Sequence, residues 1–267
     1  MKITTFNVNS VRTRLPVLIK WLNECEPDLL FMQETKTQDE FFPELAFNEV
    51  GYKSYYHGEK SYNGVAVLVK NSLDLEDVKI SFGFNDSDSE TGANNFDTRI
   101  LTLIYKNLFI LNSYVPQGKS IESPDFEVKK KFFSRVRNLI TRESESKPEN
   151  LFLWLGDLNV APEKIDVTHP EAKKNHVCFC EEIREIFRNT CAGLVDVLRL
   201  FHAEANIYTF YDYRVKDALT KNIGWRIDHM LASKNFAELA VNCEPDPRVR
   251  AWERPSDHVP LTAQYNY

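Results

Sequence analysis

The sequence predicts an α+β fold, with no regular strand–helix–strand repeat. Three observations carry that expectation. Short apolar runs bounded by turn residues recur along the chain. Two of them, residues 100–105 and 108–115, are separated only by Lys106-Asn107, a connection that makes antiparallel neighbours. A few segments have instead the spacing of a helix with one buried face, which places helices beside sheets rather than between parallel strands.

Taken in order, residues 3–8 form the first strand. Leu15, Leu18, Leu22 and Cys25 share a face of a helix over 15–25. Strands follow at 29–32, 64–70, 99–105 and 108–115. Phe132, Phe133, Val136, Leu139 and Ile140 define a helix over 126–140, with Ser123-Pro124 just upstream where helix start signals belong. Residues 141–150 (TRESESKPEN) read as a polar loop, 151–155 as a buried strand and 181–190 as a helix. Residues 227–232 and 259–265 complete the strands. The segment 85–95 (NDSDSETGANN) has the composition of an exposed loop. No repeat or long linker divides the chain, so one domain over 1–267 is expected.

Length and composition narrow the function. At 267 residues the chain can bury a large core. It contains no apolar run long enough to span a bilayer, and MKITTFNVNS turns polar by its fourth residue, so neither a membrane span nor a leader is expected. The five scattered cysteines suit reduced thiols, hence a cytoplasmic location, or a nuclear one in a eukaryote. Cys178 and Cys180 lie near His176 but lack the second cysteine pair of a zinc site. A net charge of −6 disfavours an all-over basic surface for nonspecific nucleic-acid binding, though not a local basic face.

The chemistry is concentrated where strands run out. LLFMQET delivers Gln33-Glu34, LFLWLGDLN delivers Asp157 and Asn159, and GWRIDHML carries Asp228 inside an apolar run. Asn7 ends the first strand, and Asp257-His258 precedes the last. One Asp after a strand is ordinarily a turn former or cap. Asp228 is different, because among Ile227, Met230 and Leu231 a buried carboxylate needs a partner, and an imidazole is the obvious type. Together these oxygen-rich termini suit Mg²⁺ or Mn²⁺, a water-activating Asp and a His–Asp pair, the set that phosphodiester hydrolysis requires.

The motifs ITTFNVNSVRTRL, PDLLFMQETK, YNGVAVLVK, SYVPQG, WLGDLNVAP, GLVDVLR, YTFYDYR, GWRIDHMLAS and RPSDHVPLTA occur in order across the whole chain. In this it resembles the exonuclease III type of apurinic/apyrimidinic endonuclease, within the metal-dependent endonuclease/exonuclease/phosphatase enzymes. The resemblance implies a DNase I-like four-layer α/β sandwich, two packed mixed β-sheets flanked by helices. It implies Mg²⁺, with Mn²⁺ as a substitute, and a monomeric enzyme acting on duplex DNA with abasic sites or blocked 3′ ends. By matched position, Glu34 is the main metal ligand, with Asn7 beside it and Asp257 either a second ligand or a turn cap. Asp157 activates the attacking water, and Asn159 contacts the phosphate or that water. His258, held by Asp228, stabilises the phosphate, and Tyr114 binds it as a phenol. Gln117, Arg99, Arg12 and Arg14 contact the DNA backbone. Phe210 stands where bacterial members usually have Trp. With Trp225 and Ile227 it matches the branch that walls a small pocket for a flipped, base-free sugar.

Departures from the family pattern bear on the same region. Asp125 stands where many bacterial members carry a Lys before the Phe of SPDFEVKKK, leaving Lys119 or Lys129–Lys131 to replace a phosphate contact. The ordinary expectation for Lys129-Lys130-Lys131 is a solvated helix face. Residues 168–180 match poorly, and His176 receives no role. Two other functions share the chemistry or the fold: hydrolysis of phosphoinositides, sphingomyelin or RNA tails, and a non-catalytic DNA-binding protein with a decayed site. SYVPQG and GWRID speak against the first, and competent residues at every matched position against the second.

Overall fold

The computed structural model describes residues 1–84, 96–147 and 149–267, so the expected loop at 85–95 lies outside the described residues. The strands are β1 (Lys2–Asn7), β2 (Leu29–Gln33), β3 (Tyr52–His57), β4 (Val65–Lys70), β5 (Val78–Phe82), β6 (Ile100–Tyr105), β7 (Leu108–Tyr114), β8 (Leu151–Asp157), β9 (Leu194–Asp196), β10 (Asp228–Ser233), β11 (Ala240–Pro245) and β12 (Leu261–Tyr265). The helices are α1 (Val11–Cys25), α2 (Glu44–Glu49), α3 (Pro124–Ser146), α4 (Pro170–Lys173), α5 (Glu181–Thr190), α6 (Val197–Phe201) and α7 (Lys234–Ala237).

Every strand expected from apolar patterning is present. The four that patterning misses, β3, β5, β9 and β11, are sheet edges with few fully buried residues, so they lack the continuous apolar runs of the central strands. Two helix boundaries also differ. α1 begins at Val11, capped by Ser10 Oγ accepting from Thr13 N, so Pro16 falls inside it rather than near its start. α3 runs on to Ser146, making helix of most of the segment expected as a loop, because a polar surface face does not interrupt a helix whose other face is packed.

The two six-stranded sheets have the orders β11-β12-β1-β2-β4-β3 and β5-β6-β7-β8-β10-β9. Each holds one parallel pair, β1–β2 and β7–β8, in an otherwise antiparallel set. Their inner faces pack on each other through Ile3, Leu29, Phe31 and Val67 from one sheet and Leu103, Ile110, Leu153 and Met230 from the other. Outside the first sheet, Trp21, Leu22 and Phe47 of α1 and α2 cover Phe6, Leu30 and Met32. Outside the second, Phe132, Phe133 and Val136 of α3 and Phe187 of α5 cover Leu111, Phe152 and Trp154. The result is the four-layer sandwich.

Alternate residues of a strand point the same way, and the inner faces change character along their length. β1 reads Ile3, Thr5, Asn7; β2 reads Leu29, Phe31, Gln33; β7 reads Leu108, Ile110, Asn112, Tyr114; β8 reads Leu151, Leu153, Leu155, Asp157. β10, antiparallel to β8, reads the reverse, Asp228, Met230, Ala232. The space between the sheets is therefore apolar at one end and polar at the other. Gln33 Nε2 bridges the sheets there, donating to Thr5 Oγ1 (2.9 Å) and Asn112 Oδ1 (2.7 Å).

Candidate active site

The polar end of the sandwich is where the carboxyl ends of both parallel pairs meet. Asn7 is buried between Glu34 and Asp157, its Nδ2 donating 2.8 Å to Glu34 Oε1 and 2.8 Å to Asp157 Oδ2. Its Oδ1 accepts from the Asn9 amide at 3.0 Å. The amide oxygen expected to bind metal is thus turned toward the backbone, and the amide as a whole sets the spacing of two acids. Glu34 itself adopts a left-handed backbone (φ 51°), which turns the chain sharply as β2 ends. Gly156 (φ 131°) lies so close to β7 that a Cβ there would sit 2.1 Å from Ser113 O, so only glycine lets β8 deliver Asp157 at this position.

His258 reaches the same point from the Pro255–Pro260 turn. Ser256 Oγ donates to Asn7 O at 2.7 Å and accepts from His258 N at 3.2 Å, tying the turn to β1. His258 Nδ1 donates to Asp228 Oδ2 at 2.8 Å, and Nε2 lies 3.7 Å from Asp157 Oδ2. Asp228 is fully buried, as its sequence context predicts. Asp257 Oδ1 accepts from Asn9 Nδ2 at 3.0 Å, a contact that steadies the turn, and the same residue lines the cavity beside His258.

The electrostatics are unusual for so buried a set. Burial opposes ionisation of Glu34, but Lys36, 2.7 Å from Oε2, together with Asn7 and His258 holds its carboxyl below the ordinary range. Burial and the charges of Asp228 and Glu34 raise Asp157 to about 7 against the pull of His258. Burial disfavours the imidazolium of His258, but Asp228 and Asp157 outweigh it and raise the pKa to about 10. Burial and the nearby Glu34 and Asp157 keep Tyr114 a phenol, its pKa well above the ordinary value. Glu34, Asp157 and His258 each bring a ligand atom within 4.8 Å of the others, a group close enough to hold a metal ion. Two carboxylates in such a group fit a hard divalent cation.

A cavity of about 360 Å³ opens onto this cluster, and Gln117, Asn159, Asp257 and the expected aromatic wall of Phe210, Trp225 and Ile227 line it. Phe210 lies 4.9 Å from the His258 ring. Asn159, left-handed at φ 50°, donates from its backbone to Asp157 Oδ1 (3.1 Å) and from its amide to Val115 O (2.9 Å). Arg99 is not in the cavity wall. Its guanidinium packs on the Tyr114 ring at 4.6 Å and donates to Tyr114 O, so it supports that phenol from behind.

Several site groups have no forewarning in the motif analysis. Lys129 is the main correction. It is not on a solvated face but has 0 % exposure, and its ammonium donates to Gln117 O (3.1 Å), Asn159 O (2.8 Å) and Val177 O (2.7 Å), three loops that wall the cavity. Its position three residues after Phe126 and three before Phe132 places it on the apolar stripe of α3, a signal the sequence did carry. Lys130 pairs with Glu127 and Glu182, and Lys131 is exposed, as expected. Ser123 caps α3, its Oγ accepting from the Asp125 amide (3.2 Å) and donating to the Asp125 carboxylate (2.8 Å), and Asp125 pairs with Lys119 at 3.0 Å. His176 lines the cavity 4.7 Å from Trp225, its pKa pushed down to about 4 by burial. No helix among the described residues is long and apolar enough to cross a membrane.

Comparison with known proteins agrees with this geometry. Residues 4–258 match the model of the Endonuclease/Exonuclease/phosphatase family. Exodeoxyribonuclease III of Haemophilus influenzae is 31 % identical, over 99 % of this chain and 100 % of its own length. The structure of an AP endonuclease from Archaeoglobus fulgidus superposes with a TM-score of 0.91 at 40 % identity, covering 100 % of both chains. That of the 3′ phosphatase NExo from Neisseria, bound to a product DNA hairpin, does so with a TM-score of 0.87 at 32 % identity, again over 100 % of both. The chain belongs to the endonuclease/exonuclease/phosphatase family, in its exonuclease III-type apurinic/apyrimidinic endonuclease group.

Proposed function

We propose that this chain, acting as a single-domain monomer, is a divalent-metal-dependent DNA-repair phosphodiesterase. It hydrolyses the backbone 5′ to abasic sites in duplex DNA and processes 3′ ends as a 3′→5′ exonuclease and 3′-phosphatase. The observation that carries this reading is the meeting of Glu34, Asp157 and an Asp228-held His258 at the floor of one aromatic-walled cavity. Asp157 accepts a proton from the attacking water. The His258 imidazolium and the Tyr114 phenol donate to the phosphate oxygens where negative charge develops. Asn159 holds Asp157 in place. Cleavage of the P–O3′ bond leaves a 3′-hydroxyl on one side and a 5′-phosphate on the other. Mg²⁺, with Mn²⁺ as a substitute, would be held by Glu34 with Asp157, positioned by Asn7, and would neutralise phosphate and leaving-group charge. Phe210, Trp225 and Ile227 offer an aromatic and aliphatic slot for a flipped, base-free deoxyribose. Gln117, Arg12 and Arg14 contact phosphates and set position without reading bases.

The test is a panel of end-labelled duplexes, abasic, 3′-phosphate, uracil-containing and undamaged, run with Mg²⁺ and with chelator beside inositol phosphates. Metal-dependent incision 5′ to the abasic site is expected. Faster turnover of inositol phosphates than of abasic DNA would overturn the assignment.

A further inference from the structure

The turn after Asp157 is gripped from two sides. The carbonyls of Asn159 and its neighbour Val160 are taken by different buried groups: Lys129 donates to the first, and His229 Nε2 lies 2.8 Å from the second. His229 is fully buried, and its other ring nitrogen is 3.1 Å from Arg226 Nη1. A guanidinium only donates, so Nδ1 must be the bare, accepting nitrogen, and Nε2 carries the proton that Val160 O receives. Burial and the adjacent Arg226 push the His229 pKa down to about 4, which keeps the ring neutral in that single tautomer.

Arg226 is fixed in turn. Its Nε and Nη2 fork onto Asp166 at 2.6 and 3.2 Å, Nη1 donates to Asp196 at 2.7 Å, and its backbone N–H donates to Asp166 O at 2.7 Å. Arg199 donates to the same Asp166, which also accepts from the Glu163 amide. None of Asp166, Asp196, Arg226 and His229 lies in the cavity wall. A continuous chain of hydrogen bonds thus runs from the ion cluster around the buried Asp166–Arg226 pair to the backbone of the turn bearing Asn159.

We propose that Arg226 and His229 are positioning residues for Asp157 and Asn159. The imidazole, locked by Arg226, pins the Val160 carbonyl while Lys129 pins that of Asn159. Between them they set the left-handed turn whose amide holds the Asp157 carboxylate. This rests on Asp157 being the water-activating group.

The test compares two replacements of His229 in the full chain. Gln can accept from Arg226 and donate to Val160 O, whereas Phe fills similar space and does neither. His229→Phe should lower kcat on an abasic duplex about 10- to 100-fold per folded molecule, with KM within about threefold of wild type, and His229→Gln should restore most of it. Folded His229→Phe with unchanged kcat would mean that the cluster serves the fold alone. Equal losses in both variants would assign the effect to the imidazole rather than to its bonds. Ring-nitrogen NMR of the wild type needs no variant: a protonated Nε2 is expected, and a protonated Nδ1 overturns the proposal. Wild-type protein that spares abasic DNA would instead discredit the assigned function.

Discussion

Two buried acids close together in the chain have opposite fates. Asp157 faces the cavity beside Glu34 and Asp228, and its pKa is raised to about 7 by burial and by those charges. Asp166 is just as buried, but Arg226 and Arg199 outweigh its burial and hold its carboxyl below the ordinary range. The Asp166 cluster is balanced, with Asp166 and Asp196 against Arg226 and Arg199, and its central pair, Asp166 and Arg226, is buried. The Asp157 cluster sets Glu34, Asp157 and Asp228 against Lys36 and His258, and it opens onto a cavity. An uncompensated buried charge is tolerated where a cation or a reacting phosphate can complete it, and a balanced one serves the frame around it.

The sharpest way to break this contrast is to remove each acid's defining feature. Asp157→Asn should reduce kcat on abasic duplex by about 10³- to 10⁴-fold while leaving thermal stability equal or higher, since it removes a carboxylate that burial disfavours. Retained activity would end the role given to Asp157. Arg226→Met should act first on stability. The buried Asp166 and the partly exposed Asp196 lose a guanidinium, and urea unfolding should report a loss of about 3–5 kcal/mol; a loss below ~1 kcal/mol would show that the cluster is not the frame described. Lys129→Met leaves three carbonyls without a donor but relieves a buried charge, so a smaller loss of about 2–3 kcal/mol is expected by the same measurement. No loss would mean that the three loops hold without it.

The smallest effect depends on pH. With metal chelated, His258 holds its proton more tightly folded than unfolded, its pKa raised from 6.5 to about 10. That contribution is complete below pH 6.5 and lost as pH rises through 10. Unfolding in chelator should therefore show stability falling as pH rises from 7 to 10, and His258→Asn should flatten the slope. A slope unchanged by the substitution would place the titration elsewhere.

Much of this was legible in the residues. The turn from Ile3 to Thr5 to Asn7, and from Leu155 to Asp157, is a period-two pattern that predicts both the inner face and the end at which chemistry collects. The need of Asp228 for an imidazole follows from its apolar neighbours, and the burial of Lys129 follows from its place on the stripe of α3. Edge strands such as β9 and β11 were illegible because almost none of their residues is fully buried, Cys243 excepted, so no apolar run marks them. The orientation of Asn7, the contact of Asp257 with Asn9 and the support of Tyr114 by Arg99 were illegible for another reason: each depends on a partner brought in by packing.

The sequence by itself determined the two sheets, the polar ends of their strands and the family motifs, because those are written in alternation and in short contiguous runs. Only the tertiary structure decided which groups meet. Asn7 reaches Asp157 across the gap between the sheets, and His229 takes its tautomer from Arg226 and presents its Nε2 proton to Val160 O. Such contacts are fixed by strand register and by how the two sheets seat on each other, and no local pattern of residues encodes either.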